Sequence, residues 1–362
     1  MAFRMNNWSD ALDDQLIEKY RIKLSLINAG REDLAAWLKI SLLSKLLSLI
    51  PPSFLPVKLL AYASNKRSWQ LRKRLAAEGK RYDHIQAHNL GALYPAYYWA
   101  MQSSSTFSFD VEDFHPEEVI SYQANWERKR RYRLMKELLP FATNITSASP
   151  MITKSTQELL PSKKVLTLNN SFFQEEFKIP KELDGSLPLK LIWFSQYITF
   201  NRGLEMIFEV IKQYKNEVNV TLVGELDPSF YDQYLSGSSV VIRKPLPQSK
   251  LHSMLAEYDI GLVLEQSNID LNKDICLANK LFAYVQSGLF VLATNTRGHR
   301  QFFEANPHFG VLINQNAESF SKALKGLIQI KNQLREGRKK RFEKGKDFAF
   351  RKEMSNLRHQ WV

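Results

Sequence analysis

The sequence has one cysteine, Cys276, among its 362 residues, so no disulfide can form within the chain. It also contains no Cys/His spacing of the kind that holds zinc. Scarce cysteine is typical of proteins in a reducing compartment, and we therefore expect a cytoplasmic location. The first residues, MAFRMNNWSDALDD, lack the apolar core that follows the basic start of a secretory signal peptide.

Long apolar runs are also absent. The most apolar stretch, residues 34–63, is interrupted by Lys39, by Lys45 and by Pro51-Pro52, and is too broken to span a bilayer. Part of it repeats at helical spacing, with lysines near the edge of the stripe: Leu38, Leu42, Lys45, Leu46 and Leu49. A helix lying on an anionic membrane has this pattern, and so does a helix packed on the protein's own core.

The motifs of several enzyme classes are missing. No G-x-G-x-x-G and no phosphate-loop signature occurs, so dehydrogenase and kinase functions lose their main support. Asp110 and Asp113 are close in sequence, but no third ligand follows at a useful spacing. We therefore predict a reaction without a metal site and without a cofactor.

Positive charge is in clear excess. Lysine and arginine number 50 against 37 acidic residues, which gives a net charge of +13. An anionic membrane, a phosphorylated substrate or nucleic acid can account for such an excess, as can solvated lysines without a partner. Aromatic platforms and a recognition helix are not evident, so we expect no nucleic-acid partner.

Strands and helices alternate along both halves of the chain. In the second half, the strands are predicted at 189–194, 218–224, 239–242, 259–265, 289–294 and 310–313, with a helix over 277–287. In the first half, they are predicted at 21–28, 83–89, 106–113, 144–149 and 164–170. This alternation is typical of α/β domains with doubly wound parallel sheets.

The length predicts two domains. Residues 180–188, rich in Pro, Gly and charge, suit the linker between them. We predict an N-terminal domain over 1–180, a C-terminal domain over 181–345, and an amphipathic helix over 346–362 that packs back on the first domain. Two facing sheets would leave a cleft at the carboxyl ends of their strands, where ligands bind in open α/β sheets.

The second half therefore offers candidate anion-binding residues. Arg202 and Gly203 are predicted to begin a helix after strand 189–194, and a helix start beside an arginine suits a diphosphate. Lys280, in the first turn of helix 277–287, is unfavourable beside the helix dipole and indicates a nearby anion. Either cation can instead extend into solvent. Asp274 suits a helix cap or a sugar hydroxyl.

The first half offers carboxylates and histidines at strand ends. His88 ends one predicted strand, and Asp110, Glu112, Asp113 and His115 lie at the end of the next. Such groups are candidates for acid/base work or for binding a substrate hydroxyl. A lone histidine such as His88 is more often structural.

Several segments together resemble the group 1 family of retaining glycosyltransferases with the GT-B fold. The segment DIGLVLEQSN…NKDICLANKLFAYVQSGLFVLAT resembles the family's strand, polar loop and "NK-L-F-E-Y-L-A-x-G" helix. LIWFSQYITFNRGLEMI resembles its "G-R-L, K-G-hydrophobic" segment, and LTLNNS its "I-P-N-G". QAHNLGALYPA and FSFDVED resemble "H-A-H" and "D-A-H-E" in the N-terminal domain.

The resemblance implies two Rossmann-like domains and metal-independent transfer of a sugar from a nucleoside-diphosphate sugar to a glycan or lipid-linked acceptor, with retention at the anomeric carbon. It implies roles in catalysis for Asp110 and His88, with Asp113 and His115 on the acceptor side. The residues expected to bind the donor are Arg202, Gly203, Lys280, Asn279, Asn170, Glu265, Asp274 and Gln196. The basic charge suggests peripheral attachment to the inner face of an anionic membrane.

Four departures from the family pattern stand out. The family's arginine after the first strand of the donor domain falls on Tyr197, and its two glutamates fall on Ile275 and Ala283. Nothing before Arg21 resembles the family's opening strand and Gly-rich loop, so we expect either a truncated chain or a smaller first sheet. The replaced glutamates leave an alternative open, a catalytically weak protein that binds sugar nucleotides or glycans.

Overall fold

A computed structural model describes residues 1–4, 10–28 and 34–359 of the chain. Their contacts divide the chain into two compact units. The first comprises Met1–Pro116, Ile120–Thr146 and Gln157–Val165, and the second comprises Glu117–Val119, Ser147–Thr156 and Leu166–Val362. From Leu166 onwards the chain belongs to the second unit, whereas the sequence predicted a domain boundary at residue 180.

The described residues of the first half form six short strands: β1 (Ala2–Arg4), β2 (Leu26–Asn28), β3 (His84–His88), β4 (Thr106–Val111), β5 (Ile145–Ser147) and β6 (Val165–Thr167). The last four form one sheet in the order β3-β4-β5-β6, and β3 runs parallel to β4. β1 and β2 form a separate parallel pair in which Ala2 faces Leu26. A strand therefore does precede Arg21, but it lies outside the four-stranded sheet.

Seven helices accompany these strands in the described part of the chain: α1 (Asp10–Lys19), α2 (Leu34–Ser48), α3 (Val57–Ser64), α4 (Lys66–Glu78), α5 (Leu90–Ser103), α6 (Ala124–Leu138) and α7 (Pro150–Leu159). The start of α7 follows the predicted pattern. Pro150 is its first residue, and the Ser149 hydroxyl accepts a hydrogen bond of 3.1 Å from the Ile152 N–H. A side-chain oxygen there satisfies an N–H that has no partner within the helix.

The second unit is built on a six-stranded parallel sheet. Its strands are β7 (Leu189–Ile198), β8 (Val218–Leu226), β9 (Val241–Arg243), β10 (Ile260–Val263), β11 (Phe290–Thr294) and β12 (Gly310–Ile313), in the spatial order β12-β11-β10-β7-β8-β9. Successive residues of β7 alternate between two buried clusters, with Leu191 and Trp193 in one and Ile192 in the other. Both faces of this sheet are therefore covered, as in doubly wound folds.

The helices of the second unit flank this sheet. They are α8 (Phe208–Gln213), α9 (Pro228–Phe230), α10 (Gln248–Leu255), α11 (Leu271–Ile275), α12 (Asn279–Gln286), α13 (Arg297–Ala305), α14 (Ala317–Gln329), α15 (Lys331–Glu336), α16 (Arg338–Gly345) and α17 (Phe350–Arg358). Gly288 has a φ of +77° directly after the α12 cap, as its predicted place at the end of this helix requires.

β7 differs from its predicted extent. The strand was expected to end at Phe194 but continues to Ile198, with an irregular register to β8 between Phe194 and Tyr197. Gln196 and Tyr197 are exposed within this strand rather than in a loop after it. Because α8 begins only at Phe208, the prediction that a helix starts at Arg202 and Gly203 is also wrong.

Part of the basic run REGRKKRFEKGK is structural. The Arg338 guanidinium is buried and donates to the carbonyl oxygens of Lys181 (2.9 Å) and Ala256 (2.6 Å). Arg341 is buried as well and donates to the Gly288 carbonyl over 3.1 Å. Both guanidinium groups therefore connect separate segments through hydrogen bonds to backbone carbonyls, and they do not form an anion-binding surface.

The C-terminal helix α17 contacts residues of its own unit. Glu353 accepts a hydrogen bond of 3.0 Å from the Asn169 side chain, and the Phe350 ring packs edge-on against Phe173. Packing of this helix on the first domain stays a prediction. Among the described helices, none is both long and apolar enough to cross a membrane.

Candidate functional site

The carboxyl end of β10 carries a largely buried ion pair. Glu265 lies two residues after the strand, and Lys280 lies in the first turn of α12, so chain topology brings both to one edge of the sheet. The Lys280 ammonium donates to Glu265 Oε1 over 2.7 Å. The anion that the sequence predicted near Lys280 is therefore present, and it is a carboxylate of the same chain.

Two aromatic residues complete the surroundings of this pair. The Lys280 Nζ lies 5.3 Å from the centre of the Trp193 ring, within the range of a cation–π contact. His299, fully buried in α13, places Nδ1 2.7 Å from the Thr294 carbonyl oxygen. Because a carbonyl only accepts, Nδ1 carries the proton and Nε2 is left as an acceptor.

Electrostatics in this region follow from burial and from the pair itself. Burial alone would raise the pKa of Glu265, but the Lys280 ammonium holds that pKa below its ordinary value. Burial lowers the pKa of His299, so its imidazole is neutral. The charged lysine and carboxylate are thus fixed in place beside a neutral histidine.

Three buried polar atoms here have no hydrogen-bond partner among the described residues. They are Glu265 Oε2, His299 Nε2 and Trp193 Nε1. Buried polar atoms in folded proteins are nearly always paired with protein groups, water or ligand. A cluster of acceptors and one indole donor around Lys280 is therefore suited to a polar ligand with hydroxyl groups.

Gly203 connects the loop after β7 to this region. It has a φ of +75°, and a Cβ at this position would lie 2.2 Å from the Leu264 carbonyl oxygen. Only glycine allows the loop to approach the end of β10 so closely. Arg202, next to it, is exposed, so its side chain has freedom to turn towards an anion at this edge.

The acidic residues of the loop after β10 have structural partners. Asp270 caps α11 by accepting a hydrogen bond of 2.6 Å from the Lys273 N–H. Asp274 accepts from the Arg297 backbone N–H (3.0 Å) and from its Nε (2.5 Å). Asp274 therefore holds the start of α13 and not that of the predicted helix over 277–287, and its contact with a sugar hydroxyl stays a prediction.

Asn279 and Asn170 are two further predicted donor residues. Asn279 is exposed as the first residue of α12, next to Lys280. Asn170 is half-buried in the turn in which the Ser171 N–H donates to the Asn169 carbonyl over 2.7 Å. The segment after it is tied to α12, since the side-chain amide of Gln286 bonds both backbone groups of Phe172 at 2.9 Å.

A second cluster lies in the first unit, at the ends of β3 and β4. His88 and Asp110 are register partners on these neighbouring strands. The His88 Nδ1 lies 3.1 Å from Glu112 Oε1 and 3.4 Å from Asp110 Oδ2. Thr146 donates to Asp110 Oδ1 over 2.6 Å, and Asn89 donates to Glu112 Oε2 over 3.3 Å. The cluster thus places one imidazole beside two carboxylates.

The two carboxylates determine the charge of His88. Hydrogen bonds to Asp110 first, and to Glu112 second, raise the pKa of His88 to about 10. The imidazole is therefore protonated near neutral pH and cannot accept a proton from a substrate there. Asp110, a carboxylate whose side chain is 14% exposed, is the better candidate for that role.

This cluster corrects one sequence expectation. His88, Asp110 and Glu112 bring ligand atoms within 4.8 Å of one another, so a third potential ligand near Asp110 does exist. In the present arrangement the His88 imidazolium supplies the positive charge between the carboxylates. The prediction of a metal-free reaction stays a prediction.

The other two acceptor-side residues lie farther along the same loop. The His115 N–H donates to the Asp113 carbonyl over 2.8 Å in a tight turn, and the His115 carbonyl accepts from Arg131 over 2.7 Å. His115 is buried. It is held within the first unit by these backbone contacts and is not one of the groups gathered around His88.

Comparisons with known proteins agree with this architecture. The model of the family described as Glycosyl transferase-like matches residues 202–355, which include Glu265 and Lys280. No curated protein matches the sequence significantly. Among solved structures, Anabaena HepE in complex with UDP and glucose gives a TM-score of 0.65 at 12% identity, over 96% of this chain and 88% of that chain.

Two further structures are similar. A glycosyltransferase from Rickettsia africae gives a TM-score of 0.62 at 11% identity, over 96% of this chain and 86% of that chain. Sucrose-phosphate synthase from Thermosynechococcus elongatus gives a TM-score of 0.60 at 16% identity, over 85% of this chain and 80% of that chain. The fold is that of the GT-B glycosyltransferases. Together with the matched family it supports a glycosyltransferase, while membership of group 1 and retention of configuration stay predictions.

Sequence reasoning missed three residues of these two clusters as site components: Trp193, His299 and Thr146. Trp193 lies in an apolar segment that indicates only core, and His299 lies in the polar segment RGHRQ, which carries no site motif. Glu112 was predicted as a candidate because it lies at the end of the strand predicted over 106–113. Thr146 lies in β5, 36 residues from Asp110, and only the strand pairing brings the two together.

Proposed function

We propose that this protein transfers a sugar from a nucleoside-diphosphate sugar to a hydroxyl group of a glycan or lipid-linked acceptor, with retention at the anomeric carbon and without a metal. The observation that carries the proposal is the immobilised Lys280 ammonium at the carboxyl end of β10, surrounded by buried polar atoms without protein partners. Its position within the matched Glycosyl transferase-like region supports the same function.

In this proposal Lys280 stabilises the negative charge that develops on the leaving diphosphate. A fixed cation in a partly dehydrated site stabilises such charge more strongly than one in water. Glu265 acts as a positioning residue, because it holds the ammonium at 2.7 Å and keeps its orientation without the diphosphate. The exposed Arg202 adds a second cation that turns towards the diphosphate.

The chemical step breaks the bond between the anomeric carbon and the diphosphate oxygen and forms a bond from that carbon to the acceptor oxygen. The electron pair of the broken bond leaves with the diphosphate. The acceptor hydroxyl loses its proton to Asp110, the carboxylate to which the resemblance assigns a role in catalysis. His88, protonated near neutral pH, orients Asp110 and Glu112 and does not act as the base.

A sugar linked to uridine diphosphate is the first donor to test. HepE, which shares the fold, was solved with UDP, with UDP and glucose, and with UDP-glucose. The ribose contact of this chain must differ from the family pattern, because Ile275 and Ala283, which replace the two glutamates, are both fully covered by the core. Because these two positions are apolar, the alternative function is that of a catalytically weak protein that binds sugar nucleotides or glycans.

The test is release of the nucleoside diphosphate from a panel of UDP-, GDP-, ADP- and dTDP-sugars, with glycan or lipid extracts as acceptors. We expect acceptor-dependent release with one donor, and a decrease of about 100-fold or more in Lys280→Ala. Lys322→Ala, which removes an exposed lysine of α14, is the matched control and keeps wild-type turnover. Binding of a donor by calorimetry without any release indicates the alternative, and equal rates in Lys280→Ala and wild type contradict the assigned site.

A further inference from the structure

One face of α2 exposes a row of apolar side chains. Four leucines along it are about half exposed: Leu38 (53%), Leu42 (61%), Leu46 (54%) and Leu49 (52%). The same helix packs on the first unit through Ile40 and Leu47, which are buried. The leucine stripe noted in the sequence therefore faces away from the core, and the alternative that it packs inward is wrong.

The row continues beyond the end of the helix. Ile50 is exposed directly after α2, and Phe54, in the short turn that follows Pro51-Pro52, is the most exposed large apolar side chain described in the chain, at 77%. The turn is fixed from behind, since Arg133 of α6 donates to the Leu55 carbonyl over 3.2 Å. We call the four leucines together with Ile50 and Phe54 the α2 ridge.

Positive charges flank the ridge. At about 100° per residue, the exposed Lys45 lies at one edge of the row of leucines and the exposed Lys39 at the other. Residues 34–77 contain eight lysines and arginines and no aspartate or glutamate. An apolar strip bordered by cations, with long lysine stems that can extend their charge outward, fits the interface of a bilayer with anionic headgroups.

We infer that the α2 ridge docks the protein on an anionic lipid bilayer, with α2 lying in the plane of the interface and Phe54 inserted beside it. A symmetric contact between two copies of the chain fits less well, because it would bring the lysines of both copies together. Docking on a bilayer does not depend on transfer activity. It places the protein at the surface where a lipid-linked acceptor, as in the proposed function, would be found.

The test is cosedimentation of the full chain with phosphatidylcholine vesicles, with and without phosphatidylglycerol. We expect binding only when phosphatidylglycerol is present. The partition coefficient should fall about 100-fold or more in Leu42→Asp/Leu46→Asp, and roughly 25-fold in Lys39→Gln/Lys45→Gln, about fivefold for each lysine removed. Circular dichroism checks that the variants remain folded.

Matched controls lie in the second unit. Ile179→Asp/Leu187→Asp changes two exposed aliphatic residues in the same way, and Lys322→Gln/Lys325→Gln removes two exposed lysines. Both controls should bind vesicles like the wild type. Equal loss in the controls, equal binding to phosphatidylcholine alone, or an undiminished partition of Leu42→Asp/Leu46→Asp overturns the inference. So does a dimer in sedimentation velocity that this variant abolishes while no protein binds vesicles.

Nucleoside diphosphate release with a soluble acceptor separates this inference from the proposed function. Leu42→Asp/Leu46→Asp should keep that activity while it loses vesicle binding. Vesicle binding by a wild-type protein that shows no release with any donor leaves the docking surface supported and contradicts the proposed enzyme only.

Discussion

The Lys280 ammonium and the Glu265 carboxylate lie 2.7 Å apart at the carboxyl end of β10, with both side chains largely covered. A lysine in the first turn of a helix opposes the helix dipole, and the carboxylate offsets that cost. The pair therefore has a structural role that exists before any ligand binds. It also holds a cation at the sheet edge where ligands bind in this class of fold.

Removal of one member of this pair should destabilise the fold. Lys280→Met leaves a covered carboxylate without its counter-charge, and we expect a loss of about 3 kcal/mol in the free energy of unfolding near neutral pH. Urea unfolding measures this change. The double variant Lys280→Met/Glu265→Gln should recover part of the loss, whereas equal stabilities of Lys280→Met and wild type would show that the pair contributes nothing.

The same pair predicts a pH dependence. Because Lys280 contributes to a pKa of Glu265 below its ordinary value, the stabilisation is present above the ordinary carboxyl range and is lost as pH falls through the lowered pKa. In Lys280→Met, burial instead raises that pKa, so the carboxyl becomes protonated at a higher pH. The difference in stability between the two proteins should therefore shrink as the solution is made acidic. A constant difference across that range would contradict this reasoning.

Gly203 offers a test of the close approach between the loop after β7 and the end of β10. Gly203→Ala adds a Cβ 2.2 Å from the Leu264 carbonyl oxygen, in addition to the strain of a positive φ. Gly237→Ala is the matched control, since its φ is +70° but its Cβ would meet nothing within 4 Å. We expect a loss of about 1–2 kcal/mol in the control and about 1–3 kcal/mol more at Gly203, both measured by urea unfolding. Equal losses would mean that the loop moves away at no cost.

His88 should titrate far from its ordinary range. With its pKa raised to about 10, the stabilisation from His88 is complete below the ordinary pKa of 6.5 and is lost as pH rises through about 10. Asp110→Asn removes the largest cause of the shift, so the pKa should move down towards 6.5. NMR titration of the imidazole measures both values. Thr106→Ala is a control elsewhere in β4, and a wild-type midpoint near 6.5 would refute the protonated cluster.

The sequence was sufficient for those parts of the fold that depend on local pattern. Strand and helix alternation gave the parallel sheet of the second unit, and Pro150 after Ser149 gave the start of α7. β1 could not be predicted, because three residues, Ala2–Arg4, carry no periodicity and the strand exists only through its pairing with β2. The end of β7 was missed because Gln196 and Tyr197 are part of an irregular register that only the neighbouring strand defines.

The candidate sites follow the same division. Positions at strand ends and helix starts can be predicted from the sequence, and Glu265, Lys280, His88 and Asp110 were therefore named as candidates. The contacts between these side chains could not be predicted, because they depend on which strands are neighbours in the sheet. The sequence thus predicted an anion beside Lys280 but not that Glu265 supplies it. Nor does the basic run REGRKKRFEKGK indicate that Arg338 within it is buried against backbone carbonyls.

The central claim is that Lys280 contacts the diphosphate of a nucleotide sugar, and a crystal structure with a bound UDP-sugar measures this directly. We predict a diphosphate oxygen within hydrogen-bond distance of Lys280 Nζ, with Glu265 still bound to the same ammonium and Arg202 turned towards the phosphates. A diphosphate bound elsewhere in the second unit, with Lys280 engaged only by Glu265, would contradict the account.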